Sequence, residues 1–144
     1  MSDSEKRQSA NYRLEEQVGF LLRRANQRHL SIFARHMPDF TPTQFAALAK
    51  LCDLGEASQN ALGRAVAMDA ATIKGVVDRL RKRDLVTAHP DTSDTRRLLL
   101  RPSETGRAVY EEVVGAAAEI TEETLEPLTS DETAVFLALL ERLT

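Results

Sequence analysis

Two aspartates and two arginines lie in a short polar segment, residues 89–97, between two short runs typical of β-strands. Residues 86–88 form the first predicted strand and residues 98–101 the second. The segment between them contains Pro90 and little that needs burial, so it is predicted to be the exposed tip of a hairpin. Exposed guanidinium groups at such a tip suit the phosphates and grooves of DNA. The alternative is a solvated hairpin that only carries charge.

Within this tip, Arg96 is the predicted minor-groove contact, because a guanidinium fits a narrow and electronegative groove. Asp94 precedes it by two residues and would hold it in one orientation. A carboxylate at a tip that faces DNA would be repelled by the phosphates, so its presence there favours a role in orienting a cation. Arg97 is the predicted phosphate contact.

The segment before the hairpin, DAATIKGVVDRLRKRD, is an amphipathic helix with a basic end. Its apolar positions recur at three- and four-residue steps: Ile73, Val76, Val77 and Leu80. The outer side of its first half is left with small or polar residues that are predicted to reach base edges in a major groove. These residues are Ala70, Ala71, Thr72 and Lys74, and Gly75 adds room for close approach. The alternative is that they are ordinary surface residues of a helix.

Phosphate contacts are predicted at two further places. The basic end of the helix offers Arg79, with Arg81, Lys82 and Arg83 after it, either for phosphates or for local ion pairs. The start of the preceding short helix offers Ser58, Gln59 and Asn60, whose side chains and backbone can donate to phosphate.

The whole chain is predicted to be mainly α: four helices, a hairpin and two more helices. Helix starts are marked by Thr41 or Thr43, Ser58, Asp69, Ser103 and Ser130. A helix followed by a basic-tipped hairpin predicts a winged helix–turn–helix DNA-binding domain over residues 41–102. Residues 1–13 are predicted to be a disordered arm.

The helices at the two ends, residues 14–40 and 103–144, are apolar along their faces and are not needed by a small winged module. They would expose a large apolar stripe unless another molecule covers it. We therefore expect a two-fold homodimer in which these helices form the dimerisation domain. The alternative is a monomer whose terminal helices pack on their own module.

Charge is distributed unevenly. The formal net charge is -3, but residues 64–101 hold nine lysines or arginines against five acids, whereas residues 102–144 hold two against ten. A local basic patch, rather than the net charge, determines attraction to phosphates. One cysteine, no long apolar run and no apolar secretory segment at the start predict a cytoplasmic protein without a membrane partner.

A ligand pocket is also expected. His29 and His36 lie near the centre of the apolar face of the first helix, with Phe33 between them and Phe40 just after. They predict a semi-polar aromatic pocket, in which Arg24 and Arg28 would face a carboxylate. A histidine in such a position is more often a satisfied core or interface residue.

Enzyme activity is not expected. The sequence has no glycine-rich phosphate loop, no nucleophile-elbow serine and no metal-ligand spacing, so neither a cofactor nor a metal site is predicted. Two alternatives to an effector-controlled DNA-binding protein stay open. One is a redox-sensing regulator that uses Cys52, and the other is a protein-interaction module that does not bind DNA.

Several segments together resemble the MarR family of bacterial transcription regulators. They are TPTQFAALAKL, the short helix after Ser58, DAATIKGVVDRLRKRDLV, the D-x-R of Asp94 and Arg96, and the S-x-x-G that begins at Ser103. The resemblance spans residues 14–143. The family usually has Arg where Thr95 stands and Leu-Thr where Pro102 and Ser103 stand, which removes one wing charge but keeps a capping hydroxyl.

This resemblance implies a homodimer, a palindromic double-stranded DNA operator, and repression that a small ligand relieves. It also implies a ligand pocket between the dimerisation helices and the winged module. The segment EEQVGFLLRRANQRHLSIF is similar to regulators of nicotinate and aromatic-acid degradation, which implies a small aromatic or heteroaromatic acid as the effector.

Overall fold

The computed structural model describes residues 2–4 and 11–144. After a 3-10 turn, residues 11–144 form six α-helices: α1 (Val18–His36), α2 (Pro42–Leu54), α3 (Gln59–Ala65), α4 (Ala70–Lys82), α5 (Glu104–Leu125) and α6 (Ser130–Glu141). Three strands accompany them: β1 (Ala57–Ser58), β2 (Val86–Pro90) and β3 (Leu98–Pro102). The predicted mainly α fold with a winged helix–turn–helix is confirmed. The predicted disordered arm, residues 1–13, falls mostly outside the described residues.

Side-chain caps define the starts of the helices. Ser58, Asp69 and Ser103 accept hydrogen bonds from backbone N–H groups three residues later, at the starts of α3, α4 and α5. Such caps satisfy N–H groups that have no partner within the helix. At α6 the expected cap was wrong by one residue. Thr129, rather than Ser130, accepts from the Glu132 N–H, and Glu132 bonds back to Thr129 in a capping box.

The sheet has the order β1-β3-β2, with antiparallel neighbours. The predicted hairpin is present, and its strands extend to Pro90 and Pro102. Strand β1 was not predicted, and its Ala57 and Ser58 pair with Leu100 and Leu99. Because Ser58 also caps α3, this pairing connects the start of α3 directly to the hairpin.

One hydrophobic core holds the winged module together. The predicted inward residues of α4, namely Ile73, Val76, Val77 and Leu80, are all buried. They pack with α2, where Leu48 and Leu51 are completely buried, and with Leu100 of β3. Burying such side chains contributes roughly 1.5–3 kcal/mol each. The position of α4 is therefore fixed by its inner face, and its outer face is free to serve recognition.

The terminal helices follow a different pattern. The second half of α1 packs along α5, where Ile32, Phe33 and Ile120 are buried. The first half of α1 exposes apolar side chains, among them Val18 and Leu21. In the part of the chain that the structure describes, α6 buries none of its residues. Its exposed large apolar residues, together with one that follows it, are Val135, Phe136, Leu137, Leu139 and Leu143.

The junction between the winged module and α5 is compact. The Ser103 hydroxyl donates to the carbonyl oxygen of Asp84 (2.6 Å) and accepts from the Gly106 N–H (2.9 Å). The Ser103 N–H donates to the Leu85 carbonyl oxygen (3.0 Å). These bonds attach the start of α5 to the chain that leaves α4.

Candidate nucleic-acid interface

The outer face of α4 is exposed as the sequence predicted. Ala70, Ala71, Thr72, Lys74 and Arg79 are all exposed. Small side chains at the start of the helix leave room for a close approach to the floor of a groove. The same face therefore offers donors for bases and phosphates along with space to bring them near.

Two side chains on this face have partners. Lys74 Nζ lies 2.9 Å from an Asp78 carboxylate oxygen, and this hydrogen bond, with the nearby positive charges, lowers the pKa of Asp78. The Arg79 guanidinium lies over Gly75, so close that a Cβ at Gly75 would be 3.2 Å from Arg79 Nη1. Glycine in an exposed helix costs roughly 1 kcal/mol relative to alanine. Here its lack of a side chain makes room for an arginine that points toward the N-terminal half of α4.

The start of α3 carries the predicted phosphate donors. The Ser58 hydroxyl accepts from the Ala61 N–H (3.2 Å), so its proton remains available to another acceptor. Asn60 is exposed, and Gln59 is half-buried. All three side chains lie beside the strand pairing that joins α3 to the hairpin.

At the hairpin tip, 91% of the Arg96 side chain is exposed. One Asp94 carboxylate oxygen accepts from the Arg96 N–H (3.1 Å) and lies 3.4 Å from Arg96 Nε. Asp94 thus holds the backbone of Arg96 and lies beside the Nε atom of its side chain. This geometry supports the orienting role predicted for Asp94.

Arg97 is placed differently from Arg96. Its Nη2 lies 3.2 Å from a carboxylate oxygen of the buried Asp91, whose other oxygen accepts from the N–H and hydroxyl of Ser93. These hydrogen bonds, those of Ser93 first, lower the pKa of Asp91, which is therefore an anion that organises the loop. Sequence reasoning missed Asp91. Its position six residues before an arginine, at the end of a strand, was the available signal.

Arg83 was predicted to meet phosphate or form a local ion pair, and the structure gives it other partners. Its Nη1 donates to the Asp39 carbonyl oxygen (2.6 Å), and its guanidinium carbon lies 4.5 Å from the centre of the Phe40 ring. This contact joins the end of α4 to the connection between α1 and α2. Arg101 of β3 pairs similarly with Glu56, at 3.0 Å, just before β1.

The predicted ligand residues do not form one cluster. Phe33 and Phe40 are buried in the core. Arg24 is exposed on α1, 5.8 Å from the Phe20 ring centre. Arg28 donates to the carbonyl oxygens of Thr124 (2.7 Å) and Glu123 (2.9 Å) near the end of α5.

The two histidines of α1 face different surroundings. His36 lies 3.4 Å from Glu119 and 3.3 Å from Glu123, and Arg35 also pairs with Glu123. The Arg35 hydrogen bond, followed by that of His36, lowers the pKa of Glu123. His36 thus lies in a cluster with Arg35, Glu119 and Glu123 that links α1 to α5.

His29 and His36 line different cavities: His36 borders an acidic one with glutamates of α5, and His29 borders a largely apolar one. His29 Nδ1 lies 2.9 Å from the Thr124 hydroxyl. The His29 cavity measures about 320 Å³, and its walls come from α1, α5 and α6. A largely apolar groove of about 470 Å³ lies between the first half of α1 and α6.

Cys52 gives the redox alternative little support. It lies half-buried on α2, and burial raises the pKa of its thiol. A raised pKa reduces the thiolate fraction, which is the form that reacts with oxidants.

These features define a winged helix–turn–helix protein: the exposed face of α4, the start of α3 paired with the hairpin through β1, and the basic hairpin tip. A family model, the MarR family, matches residues 40–98. The HTH-type transcriptional repressor NicR of Pseudomonas putida is 40% identical over 92% of this chain and 85% of its own length. The chain belongs to the MarR family.

Solved structures agree with this assignment. A probable transcriptional regulator from Pseudomonas aeruginosa superposes with a TM-score of 0.90, at 50% identity, over 92% of this chain and 100% of its own. Bordetella bronchiseptica BpsR, described as regulated in DNA binding by 6-hydroxynicotinic acid, has a TM-score of 0.88 at 40% identity, over 92% and 96% of the two chains. Among the described residues, no helix is long and apolar enough to cross a membrane.

Proposed function

We propose that the protein is a transcriptional repressor that binds a palindromic operator as a homodimer and is released by a small aromatic or heteroaromatic acid. One observation carries the proposal. The exposed outer face of α4, with its small residues, lies in the same winged module as the hairpin tip that carries Arg96. No catalytic residue, metal or cofactor enters the proposal. Since its target is bacterial chromosomal DNA, we place the protein in the cytoplasm.

Recognition divides between two grooves. Residues 41–102 form the DNA-binding domain, in which the first half of α4 enters the major groove and Arg96 enters the neighbouring minor groove. Asp94 orients Arg96. Arg79 and the α3 start contact phosphates, and Arg97 supports the tip through Asp91 while it remains near enough to the surface to meet a phosphate.

Operator binding is tested by selecting binding sites from random duplexes and then measuring affinity over a range of salt. We expect a palindrome whose half-sites are about one helical turn, roughly 34 Å, apart. If ~6 phosphates are neutralised, affinity should fall by orders of magnitude between low and moderate salt. A flat salt response, or selection of no sequence, would contradict the proposal.

The second copy covers the terminal helices. Helix α6 has no buried residues and lines a groove whose walls are almost entirely apolar. In a monomer this apolar surface would stay exposed to water, which is unfavourable. We therefore assign residues 14–40 and 103–144 to the dimerisation domain. A two-fold arrangement places the two α4 helices on the same side of the duplex, which a palindrome requires.

The effector is proposed to bind in the His29 cavity. Its volume suits a molecule with one aromatic ring, and His29 and Thr124 supply polar groups on an otherwise largely apolar wall. Arg28 of α1, whose guanidinium contacts the neighbouring end of α5, would attract a carboxylate. The cavity lies between α1, α5 and α6 rather than against the winged module, and so Phe33, His36 and Phe40 act from outside it.

Calorimetry with 6-hydroxynicotinic acid tests this proposal. His29→Ala should weaken binding about tenfold, the size expected for losing one buried hydrogen bond. His89→Ala is the matched control, because His89 lies in β2 and bonds to Thr87 there. A ligand that releases DNA must itself bind more weakly to the operator complex, by the same factor. Equal affinity for free and DNA-bound dimer would show that this acid is not the inducer.

A further inference from the structure

Arg83 holds the last turn of α4 against the connection between α1 and α2. Its Nη1 donates to the Asp39 carbonyl oxygen at 2.6 Å, which is short for a bond between a charged donor and a carbonyl. Its guanidinium also stacks on the buried Phe40 ring at 4.5 Å. A side chain used in this way is not available to reach away from the protein toward a phosphate.

The Phe40 ring belongs to a longer row of aromatic contacts. It meets Phe45 of α2 edge-on, with ring centres 6.3 Å apart, and Phe45 stacks with Tyr110 of α5 at 6.1 Å. Through this row, the end of α4 is connected to α5, one of the three helices proposed to form the dimer. The Ser103 bonds to Asp84 and the Leu85 carbonyl hold the same end of α4 from the other side.

Because Arg83 holds one end of α4, a small change in the angle of the helix displaces its other end by a larger distance. The helix spans 13 residues, so its reading end lies roughly 18 Å from Arg83 at 1.5 Å per residue. A rotation of the winged module by ~10° about the anchored end, with α4 still packed in its core, therefore moves the reading end by about 3 Å, close to the rise of one base pair. The angle of α4 relative to the dimer helices sets the distance between the two reading ends.

We propose that Arg83 is a positioning residue that sets the half-site spacing the dimer accepts, through its contacts with Asp39 and Phe40. The inference rests on the proposed function. It differs from a phosphate-binding role in what it predicts. Loss of a phosphate contact weakens binding to all sequences and lowers the salt slope, whereas loss of an anchor changes the preference among spacings.

The experiment uses the full-length dimer and its selected palindrome, along with versions whose half-sites are moved one base pair closer or one further apart. The wild type should prefer its own spacing by about a hundredfold, since misplacing one reading helix forfeits its base contacts. Arg83→Gln should reduce this preference to about tenfold or less, with an unchanged salt slope.

Two further variants complete the test. Phe40→Leu removes the ring but no charge, and it should shift the spacing preference in the same direction. Arg23→Gln is the matched control, because Arg23 also stacks on a phenylalanine, Phe20, at 5.4 Å, but on α1. It should keep the wild-type preference.

The proposal is overturned if Arg83→Gln retains the wild-type spacing preference, or if it weakens all operators equally and lowers the salt slope by about one per subunit. A shift in the opposite direction for Phe40→Leu also overturns it. If the wild type selects no palindrome, the proposed function itself has failed, which is a separate result.

Discussion

Gly106 lies so close to Leu85 that a Cβ added to it would be 2.0 Å from the Leu85 carbonyl oxygen. Both groups are backbone, so neither can move aside as a flexible side chain would. Gly106→Ala should destabilise the protein by about 3 kcal/mol or more. Chemical denaturation at fixed protein concentration measures the change.

Gly115→Ala is the matched control for that substitution. Gly115 lies in the same helix, and a Cβ there would have nothing within 4 Å among the described atoms. Alanine favours a helix over glycine by about 0.5–1 kcal/mol, so this variant should be slightly more stable than the wild type. Equal losses in the two variants would show that the close approach to Leu85 is not what restricts position 106.

Arg96→Ala should weaken binding to all operator variants by a similar factor, because Arg96 reads groove shape rather than base edges. Asp94→Ala should act in the same direction but less strongly, since Asp94 only holds the backbone and Nε of Arg96. Fluorescence anisotropy with several operator variants measures both effects. Tighter binding by Asp94→Ala would mean that its charge merely repels DNA.

The Glu123 ion pairs should make stability depend on pH. The folded-state pKa of Glu123 is lowered from its ordinary 4.5, mainly by the Arg35 hydrogen bond. A lowered pKa means that the carboxylate stabilises the fold above the ordinary value, and that this contribution is lost as the pH falls through the lowered one. Glu123→Gln should therefore be less stable than the wild type at pH 7, and the difference should shrink below about pH 4.

The control for that comparison is Glu122→Gln. Glu122 precedes Glu123 on α5, and within the described residues it forms no ion pair. Urea midpoints measured from pH 7 down to pH 3 should separate the two variants at pH 7. A Glu123→Gln deficit that stays constant across this range would disprove the electrostatic explanation, which also involves His36 and Glu119.

Leu139→Glu should shift the protein toward monomers, because Leu139 is 50% exposed on α6 and lines the apolar groove proposed to receive the second copy. Leu98→Glu is the matched control, since Leu98 is 54% exposed but lies in the hairpin. Sedimentation at micromolar concentration compares them. A Leu139→Glu protein that stays dimeric would place the interface elsewhere.

Local chemistry explains what the sequence could predict. The caps at Ser58, Asp69 and Ser103 depend on a side chain and a backbone N–H only three residues away, so residue type and position are sufficient. The inner face of α4 was equally predictable, because helical periodicity places its apolar residues on one side.

What the sequence could not show depends on distant partners. β1 is two residues long and exists only because it pairs with β3, more than 40 positions later. Arg97 was predicted to contact phosphate, and Arg83 to contact phosphate or form a local ion pair. In the structure, Arg83 donates to a backbone carbonyl and stacks on a ring, whereas Arg97 pairs with the buried Asp91. Helical periodicity likewise places His29 and His36 on one face. Only the position of α5 determines that His29 meets the Thr124 hydroxyl and that His36 meets Glu119 and Glu123.

The contacts between Arg28 of α1 and the last turn of α5 join residues 95 and 96 positions apart. During synthesis, α1 is therefore made long before the helix that covers its second half. A ribosome-bound chain displays the apolar side of α1 until residue 124 has emerged, and in the proposed dimer its first half is covered only when a second finished chain binds. Such a segment is open to aggregation or chaperone binding in the meantime. The packing of α1 on α5 thus protects the apolar side of α1 only after synthesis has reached the end of α5.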